Sequence, residues 1–297
     1  MKFRAHETFF IRKGWLFKGL KNIILDSTIF TRKDKNPVDI LGLGSNMVKS
    51  LRYWLQVTGL TNETQSKRTK IQTVTDLGQI IYKNDRYIEE IGSLCLVHYQ
   101  LATNFDLATS WYFFFNEFEF KDFQKEDFSQ ALQNYVQMKG GLQVAASSLE
   151  DDFNCLINSY VLRKKLNPTR VNPESNIECP LDELGLIEIT SGSKNRDRTY
   201  RKVAPKAGMI PSLILMAIIV DINSAKKEIR IVDLLNGIGN IGKIFNFDLR
   251  TLYKELETLA ARDLIDIVRT AGLDLIKVKT DKSFYELVQD YYDSLNG

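Results

Sequence analysis

Histidine is nearly missing from this 297-residue chain, which has only His6 and His98. Two imidazoles on distant segments cannot supply a histidine-rich metal centre, because such sites need three or four convergent ligands. Cysteine is equally sparse. Cys95, Cys155 and Cys179 are odd in number and far apart, a pattern of reduced thiols and not of a disulfide framework. No apolar run reaches the roughly 18–20 residues that cross a bilayer. The longest, 210–222, contains Pro211, Ser212 and Asp221 and reads as a buried helix. Met1-Lys2-Phe3-Arg4 passes directly into His6, Glu7 and Thr8, so the start does not read as a signal peptide. The expected location is the cytoplasm, with no membrane partner.

Catalytic signatures are missing too. Gly42-Leu43-Gly44 lacks the Gly-Lys-Ser/Thr ending of a phosphate loop. Gly237, Gly239 and Gly242 lack the strand–turn–helix setting of a dinucleotide fingerprint. Cys95 and His98 stand three apart on one helix, but no second pair of ligands accompanies them. His6 and Glu7 could do acid–base chemistry, although local structure, with Thr8 capping a helix, is the simpler account. Glu150-Asp151-Asp152 reads as the acidic start of a helix before it reads as a metal site. The expectation is a binder and not an enzyme, with no cofactor and no metal.

What is present is core-forming residues and an uneven charge. The chain is 44% hydrophobic and 11% aromatic, enough for two or three domains. Its net charge of +3 hides a strong division. Residues 1–70 carry 14 Lys/Arg against 5 Asp/Glu, and residues 71–160 carry 5 against 13. A basic first third suits an anionic partner, whereas the acidic middle would repel one. Ten aromatics fall within 105–128, including Trp111-Tyr112-Phe113-Phe114-Phe115. Their neighbours are Glu117, Glu119, Asp122, Glu126 and Asp127. Base-stacking platforms carry Lys/Arg instead, so this cluster is expected in a core or a protein interface.

The most informative stretch is 42–74. Gly42-Leu43-Gly44 makes a turn, and Ser45 is a suitable N-cap. At about 100° per residue, Met47, Val48, Leu51, Trp54, Leu55 and Thr58 share one side of the helix that follows. Asn46, Lys49, Ser50, Tyr53 and Gln56 share the other, with Arg52 on the flank. Ser66-Lys67-Arg68-Thr69-Lys70 then forms a basic hairpin tip, and Ile71–Val74 a strand. An outward helix beside a positive hairpin is the layout of a winged helix-turn-helix on duplex DNA. Lys49, Arg52, Lys67, Arg68 and Lys70 would meet phosphates. Asn46, Ser50 and Gln56 would reach base edges.

The C-terminal block repeats this order. A helix follows Pro211, Glu228–Ile231 is a strand, 232–245 is a glycine-interrupted helix, and Asp248 caps another helix. A hairpin over 264–279 turns at Ala271-Gly272. Leu249, Leu252, Tyr253, Leu256, Leu259 and Ala260 form the apolar side, and Arg250 and Lys254 lie on the outer side as further candidate DNA contacts, diluted by Glu255 and Glu257. The expected fold class is mainly α with small β-hairpin wings. Two winged helix-turn-helix domains, 1–104 and 206–297, flank a helical, aromatic-rich middle, 105–205, which ends in an irregular basic linker.

Several strings together resemble an uncharacterised bacterial family, a domain of unknown function. They include His6-Glu7-Thr8-Phe9, Arg12, Gly14-Trp15-Leu16 and Lys18-Gly19. Further along they include Leu43-Gly44, Asn46-Met47-Val48, Arg52-Tyr53-Trp54, Leu77-Gly78, Asp85, His98–Ala102, Trp111-Tyr112 and Phe115-Asn116. Asp152-Phe153, Pro180-Leu181, Glu183–Ile187 and Thr270–Leu273 complete the set. The resemblance spans nearly the whole chain. Members tend to be encoded near DNA phosphorothioation and other phage-defence genes, which implies a DNA-directed accessory role and supplies no catalytic residues. The partners expected are double-stranded DNA, other subunits of a modification or defence complex, and a second copy of the chain. The alternative is a protein-interaction scaffold that docks such subunits. A nuclease or transferase, with Glu150, Asp151 and Asp152 as its first carboxylates, is a third reading.

Overall fold

Helix α5 (Ile91–Thr103) is buried on nearly every side, as expected of a helix with apolar residues all round. In a computed structural model it packs against the helices Thr109–Asn116, Ser212–Ile222 and Ile241–Ile244 and the 3₁₀ turn Pro180–Leu184. The structure describes residues 1–66, 69–141, 143–161, 178–192, 198–223, 226–270 and 273–296.

Before α5 come α1 (Trp15–Leu25), α2 (Pro37–Leu41), α3 (Ser45–Val57), the hairpin β1 (Thr61–Ser66) and β2 (Thr69–Val74), and α4 (Asp76–Asn84). After it come α6 (Thr109–Asn116), β3 (Asp122–Phe123), α7 (Lys125–Gly140) and α8 (Ala146–Tyr160). A 3₁₀ turn (Pro180–Leu184) leads to β4 (Ile187–Ser191) and β5 (Thr199–Lys202). The last block holds α9 (Ser212–Ile222), β6 (Glu228–Arg230), α10 (Ile231–Asn236), α11 (Ile241–Ile244), α12 (Leu249–Ala261), β7 (Ile265–Thr270), β8 (Leu273–Val278) and α13 (Phe284–Asn296). The protein is thus mainly helical with small antiparallel sheets, in the strand orders β1-β2, β3-β5-β4 and β6-β8-β7.

Several boundaries follow directly from local chemistry. Thr75 caps α4 by accepting from the Gly78 N–H, and Asp248 caps α12 by accepting from the Thr251 N–H at 2.7 Å. Asp85 does not cap α5 directly. Its carboxylate holds the preceding turn through the N–H groups of Glu89 and Glu90. Other expectations are corrected. The apolar residues Phe9, Phe10, Ile11, Trp15, Leu16, Leu20, Ile23 and Ile24 predict one helix over 9–25, but residues 9–14 are not helical, because Gly14 takes the left-handed conformation (φ 78°) and starts α1 only there. The N-cap of α3 is Gly44 and not Ser45, which has already entered the helix. The glycines of 232–245 split one expected helix into α10 and α11. Thr8 caps no helix; its N–H donates to His6 Nδ1.

Polar contacts across the core tie the three thirds of the chain together. His98 on α5 is fully buried, and its Nε2–H donates to the Ile244 carbonyl at 2.7 Å. The Tyr160 hydroxyl on α8 therefore donates to His98 Nδ1 at 2.8 Å. Tyr99 donates to Asp221 on α9 at 2.6 Å, and the Gly239 N–H donates to Asn116 Oδ1 at 2.6 Å. Helix α13 packs on α9 and α4, and Tyr291 and Tyr292 reach Gly92 and Ser93 of α5. A Cβ at Gly92 would lie 2.4 Å from the Tyr291 ring, so only glycine permits this approach. The acid-flanked aromatic segment is core: Trp111, Phe113, Phe114, Phe115, Phe118, Phe123 and Phe128 are buried, and Phe120 is exposed. The three cysteines are buried, and burial pushes the Cys95 and Cys155 thiols up.

The N-terminal arm is held by one buried carboxylate. Asp152 on α8 accepts from the Arg4 N–H and from His6 Nε2–H at 2.8 Å each, and from Ser110 Oγ at 2.5 Å. Asp152→Ala would leave the buried His6 and Ser110 donors and the part-buried Arg4 N–H unpaired, at about 1–3 kcal/mol for each buried donor. We expect chemical denaturation to show a loss of about 3 kcal/mol or more. Arg4→Ala, which removes only the partly exposed Arg4–Asp151 pair, is expected to cost under about 1 kcal/mol.

A second expectation concerns pH. Burial pushes His98 down to about 4, so the native state favours the neutral ring. The unfolded chain takes up that proton near pH 6.5. Stability from this group is therefore complete above about pH 6.5 and lost as pH falls toward 4. Denaturation midpoints measured between pH 7 and 4.5 should fall more steeply in the native protein than in His98→Gln.

Candidate nucleic-acid interface

Helix α3 owes its orientation to its apolar stripe. Val48, Leu51, Trp54, Leu55 and Val57 are buried, and Trp54 Nε1–H donates to the Phe9 carbonyl at 2.9 Å. Burying Trp54 and Leu55 completely supplies several kcal/mol, which fixes the face of α3 turned outward. The turn before α3 depends on Gly42, whose φ of 59° suits glycine.

The polar residues of α3 do not all face outward. Asn46 and Lys49 are exposed on its first turn and a half, where Lys49 Nζ lies 3.3 Å from Asn46 Oδ1 and 3.8 Å from Glu7. Ser50 and Tyr53 are buried, contrary to expectation. Ser50 Oγ donates to the Phe9 carbonyl, and the Tyr53 hydroxyl donates to the Leu107 carbonyl at 3.0 Å. The segment 1–12 covers this side of the helix, and the helical period of α3 alone gives no sign of it.

Arg52 and Gln56 are half-buried and turned toward the hairpin, where Glu63 receives them. Arg52 Nε and Nη2 each lie 2.7 Å from Glu63 Oε2, and Gln56 Nε2 lies 3.3 Å from the same oxygen. Lys70 on β2 reaches Glu63 Oε1 at 3.2 Å. Glu63, Gln65, Lys70 and Gln72 share one face of the hairpin, because Glu63 pairs with Gln72 and Gln65 with Lys70. Gln72 Nε2 fixes the hairpin to α3 by donating to the Arg52 carbonyl. One carboxylate thus offsets two of the expected phosphate-binding cations. Lys67 and Arg68, at the hairpin tip, lie outside the described residues.

On α12, Arg250 and Lys254 are exposed as expected. Glu255 points inward, accepts from the Gly208 N–H and does not dilute the outer field. Leu249 is half exposed instead of packed. Together with Val232, Leu235, Ile231 and Tyr253 it borders a shallow groove of about 550 Å³ between α10 and α12.

The acidic trio on α8 diverges. Glu150 pairs with Lys125, Asp151 with Arg4, and Asp152 points into the core toward His6. Among the described residues, no group of three His, Cys, Asp or Glu side chains converges as a metal site would require.

Two crystal structures of SspB, one of them magnesium ion-bound, share this fold. The magnesium-bound form superposes with a TM-score of 0.83 and the other with 0.82, each at 24% identity, over 99% of this chain and 87% of the SspB chain. The carboxylates described above do not fit a magnesium site of side-chain ligands in this chain. No curated protein matches the sequence. Residues 3–292 match the family described as "Protein of unknown function (DUF4007)", and the chain belongs to that family.

Proposed function

We propose that this chain is a DNA-binding accessory protein of a bacterial DNA-modification or phage-defence system, with winged helices at both ends. The N-terminal winged helix consists of α1, α2, α3 and the β1–β2 hairpin. The observation that carries this reading is the order helix, tight turn, helix, hairpin in the basic third of the chain, with Asn46 and Lys49 left exposed at the start of the second helix. The first turns of a recognition helix are the part that enters a major groove. Asn46 suits an adenine edge, and Lys49 suits a phosphate. Gly44 offers no side-chain cap, so the first N–H groups of α3 remain available to an anion. The C-terminal winged helix consists of α9 to α12 with the sheet β6-β8-β7, and presents Arg250 and Lys254. The defence setting rests on the resemblance of the motifs alone.

In this reading Glu63 weakens the grip of the hairpin, because phosphates must compete with it for Arg52 and Lys70. A second reading, the protein-interaction scaffold, is favoured at the C-terminal end by the half-exposed Val232, Ile238 and Leu249.

The test is duplex binding followed by fluorescence anisotropy at several salt concentrations. Lys49→Ala is expected to lower affinity and to reduce the salt slope by about 0.9. Glu63→Gln is expected to raise affinity and steepen the slope, because it releases two cations. Ser50→Ala should leave DNA binding unchanged while lowering stability. Slopes that neither Lys49→Ala nor Glu63→Gln moves would overturn the assignment. Co-purification of partner proteins with no duplex retardation would favour the scaffold.

A further inference from the structure

The outer face of α1 carries a cluster that the duplex reading leaves unused. Phe17 is half-buried, and its ring centroid lies 4.7 Å from Tyr87 and 6.1 Å from Tyr82, the latter pair nearly parallel at 17°. The Arg86 guanidinium sits 5.9 Å from the Tyr82 ring centroid. Tyr87 is 53% exposed although it meets the Phe17 ring. Phe17 is also a wall of a groove between α1 and α2 with a volume of about 370 Å³, which Lys18 and Lys21 line. Lys18 Nζ donates to the Leu41 carbonyl at 3.0 Å, while Lys21 extends into solvent. A Cβ at Gly14 or Gly42, both on the groove lining, would meet nothing within 4 Å.

This is the reverse of the acid-flanked aromatic core. Here Arg86 stands over Tyr82, and Lys18 and Lys21 line the groove beside Phe17, with Asp39 on the groove wall and Glu89 and Glu90 following Tyr87 in sequence. Sequence-tolerant strand binders combine these two elements, a ring on which a base stacks and a cation for the adjoining phosphate. A duplex hides its base faces, so it would use the cations and leave the rings idle. An acidic peptide would do the same. The ring cluster therefore favours an unpaired strand.

We propose that this face is a second nucleic-acid site, which takes a single strand by stacking a base on Tyr87 and seating the adjoining phosphate beside Lys21. The site is independent of α3, and its success or failure does not decide the duplex reading.

Fluorescein-labelled oligothymidylate and oligouridylate of about 15 nucleotides, added to the full chain, provide the test by anisotropy. Both are expected to bind if the site reads the strand without regard to sugar, and the first alone if it selects DNA. Tyr87→Ala should weaken binding by about five- to a hundredfold, whereas Tyr87→Phe should stay within about twofold. Lys21→Ala should reduce the salt slope by about 0.7, and Lys49→Ala should change neither quantity. Tyr87 is exposed, so unchanged thermal melting of Tyr87→Ala will show that the fold is intact. Two results would overturn the proposal. One is the absence of binding to either oligonucleotide by the native protein. The other is binding that Tyr87→Ala leaves unchanged and that inorganic polyphosphate competes away as well as oligothymidylate does, which would reduce the site to charge alone.

Discussion

The buried carboxylate of Asp152 anchors the N-terminal arm on which the shape of the candidate surface depends. It gathers three donors from two distant segments, two of them from the N-terminal arm and one from α6. The arm adopts a costly backbone to reach it: Arg4, Glu7 and Thr8 all have positive φ, with Thr8 at 68°. A β-branched residue rarely accepts that region, so the surrounding contacts must hold it there. His6 supplies much of the hold. It stacks on Trp54 and meets Trp111 edge-on, while its two nitrogens engage Asp152 and the Thr8 N–H. Nδ1 accepts from the Thr8 N–H, and Nε2 faces Asp152 as the donor. His6 and Thr8 thus act together as a structural clasp on the arm.

This clasp also decides what α3 can show to a partner. Once the arm lies across α3, the Phe9 carbonyl takes hydrogen bonds from Ser50 and Trp54, and Tyr53 turns to Leu107. The outward face is thereby narrowed to the first turn and a half. The hairpin closes the other flank through Glu63 and Gln72. The charge of residues 1–70 consequently overstates the free positive surface, since Arg32 is engaged by Asp26 and Asp34, Lys13 by Glu183, and Arg52 and Lys70 by Glu63.

Much of the helical order was readable from residue spacing. The apolar stripe of α3, the cap at Asp248 and the paired strands near the end all depend on neighbours within a few positions. Long-range partners were not readable. Glu63 is one acid among basic residues in sequence, and only the hairpin register brings it between Arg52 and Lys70. Ser50 has the right period to face outward, and its burial depends on a segment about forty residues earlier. Helix α13 was missed although Phe284, Leu287, Val288, Tyr291 and Tyr292 have helical spacing. The glycines that break α10 from α11 act through short-range sterics, which periodicity alone does not weigh. The strands β4 and β5 lie where the sequence shows an irregular basic linker, because Gly192 and a run of basic residues mask their alternation.

Hydrogen–deuterium exchange of the full chain with and without duplex DNA probes the central claim directly. The first N–H groups of α3 have no intrahelical partner and no side-chain cap, so they exchange readily unless a ligand covers them. The account predicts that duplex slows exchange in peptides spanning 42–49 while leaving the buried half of α3 unchanged. Protection confined to other surfaces, with 42–49 unaffected at saturating duplex, would contradict it.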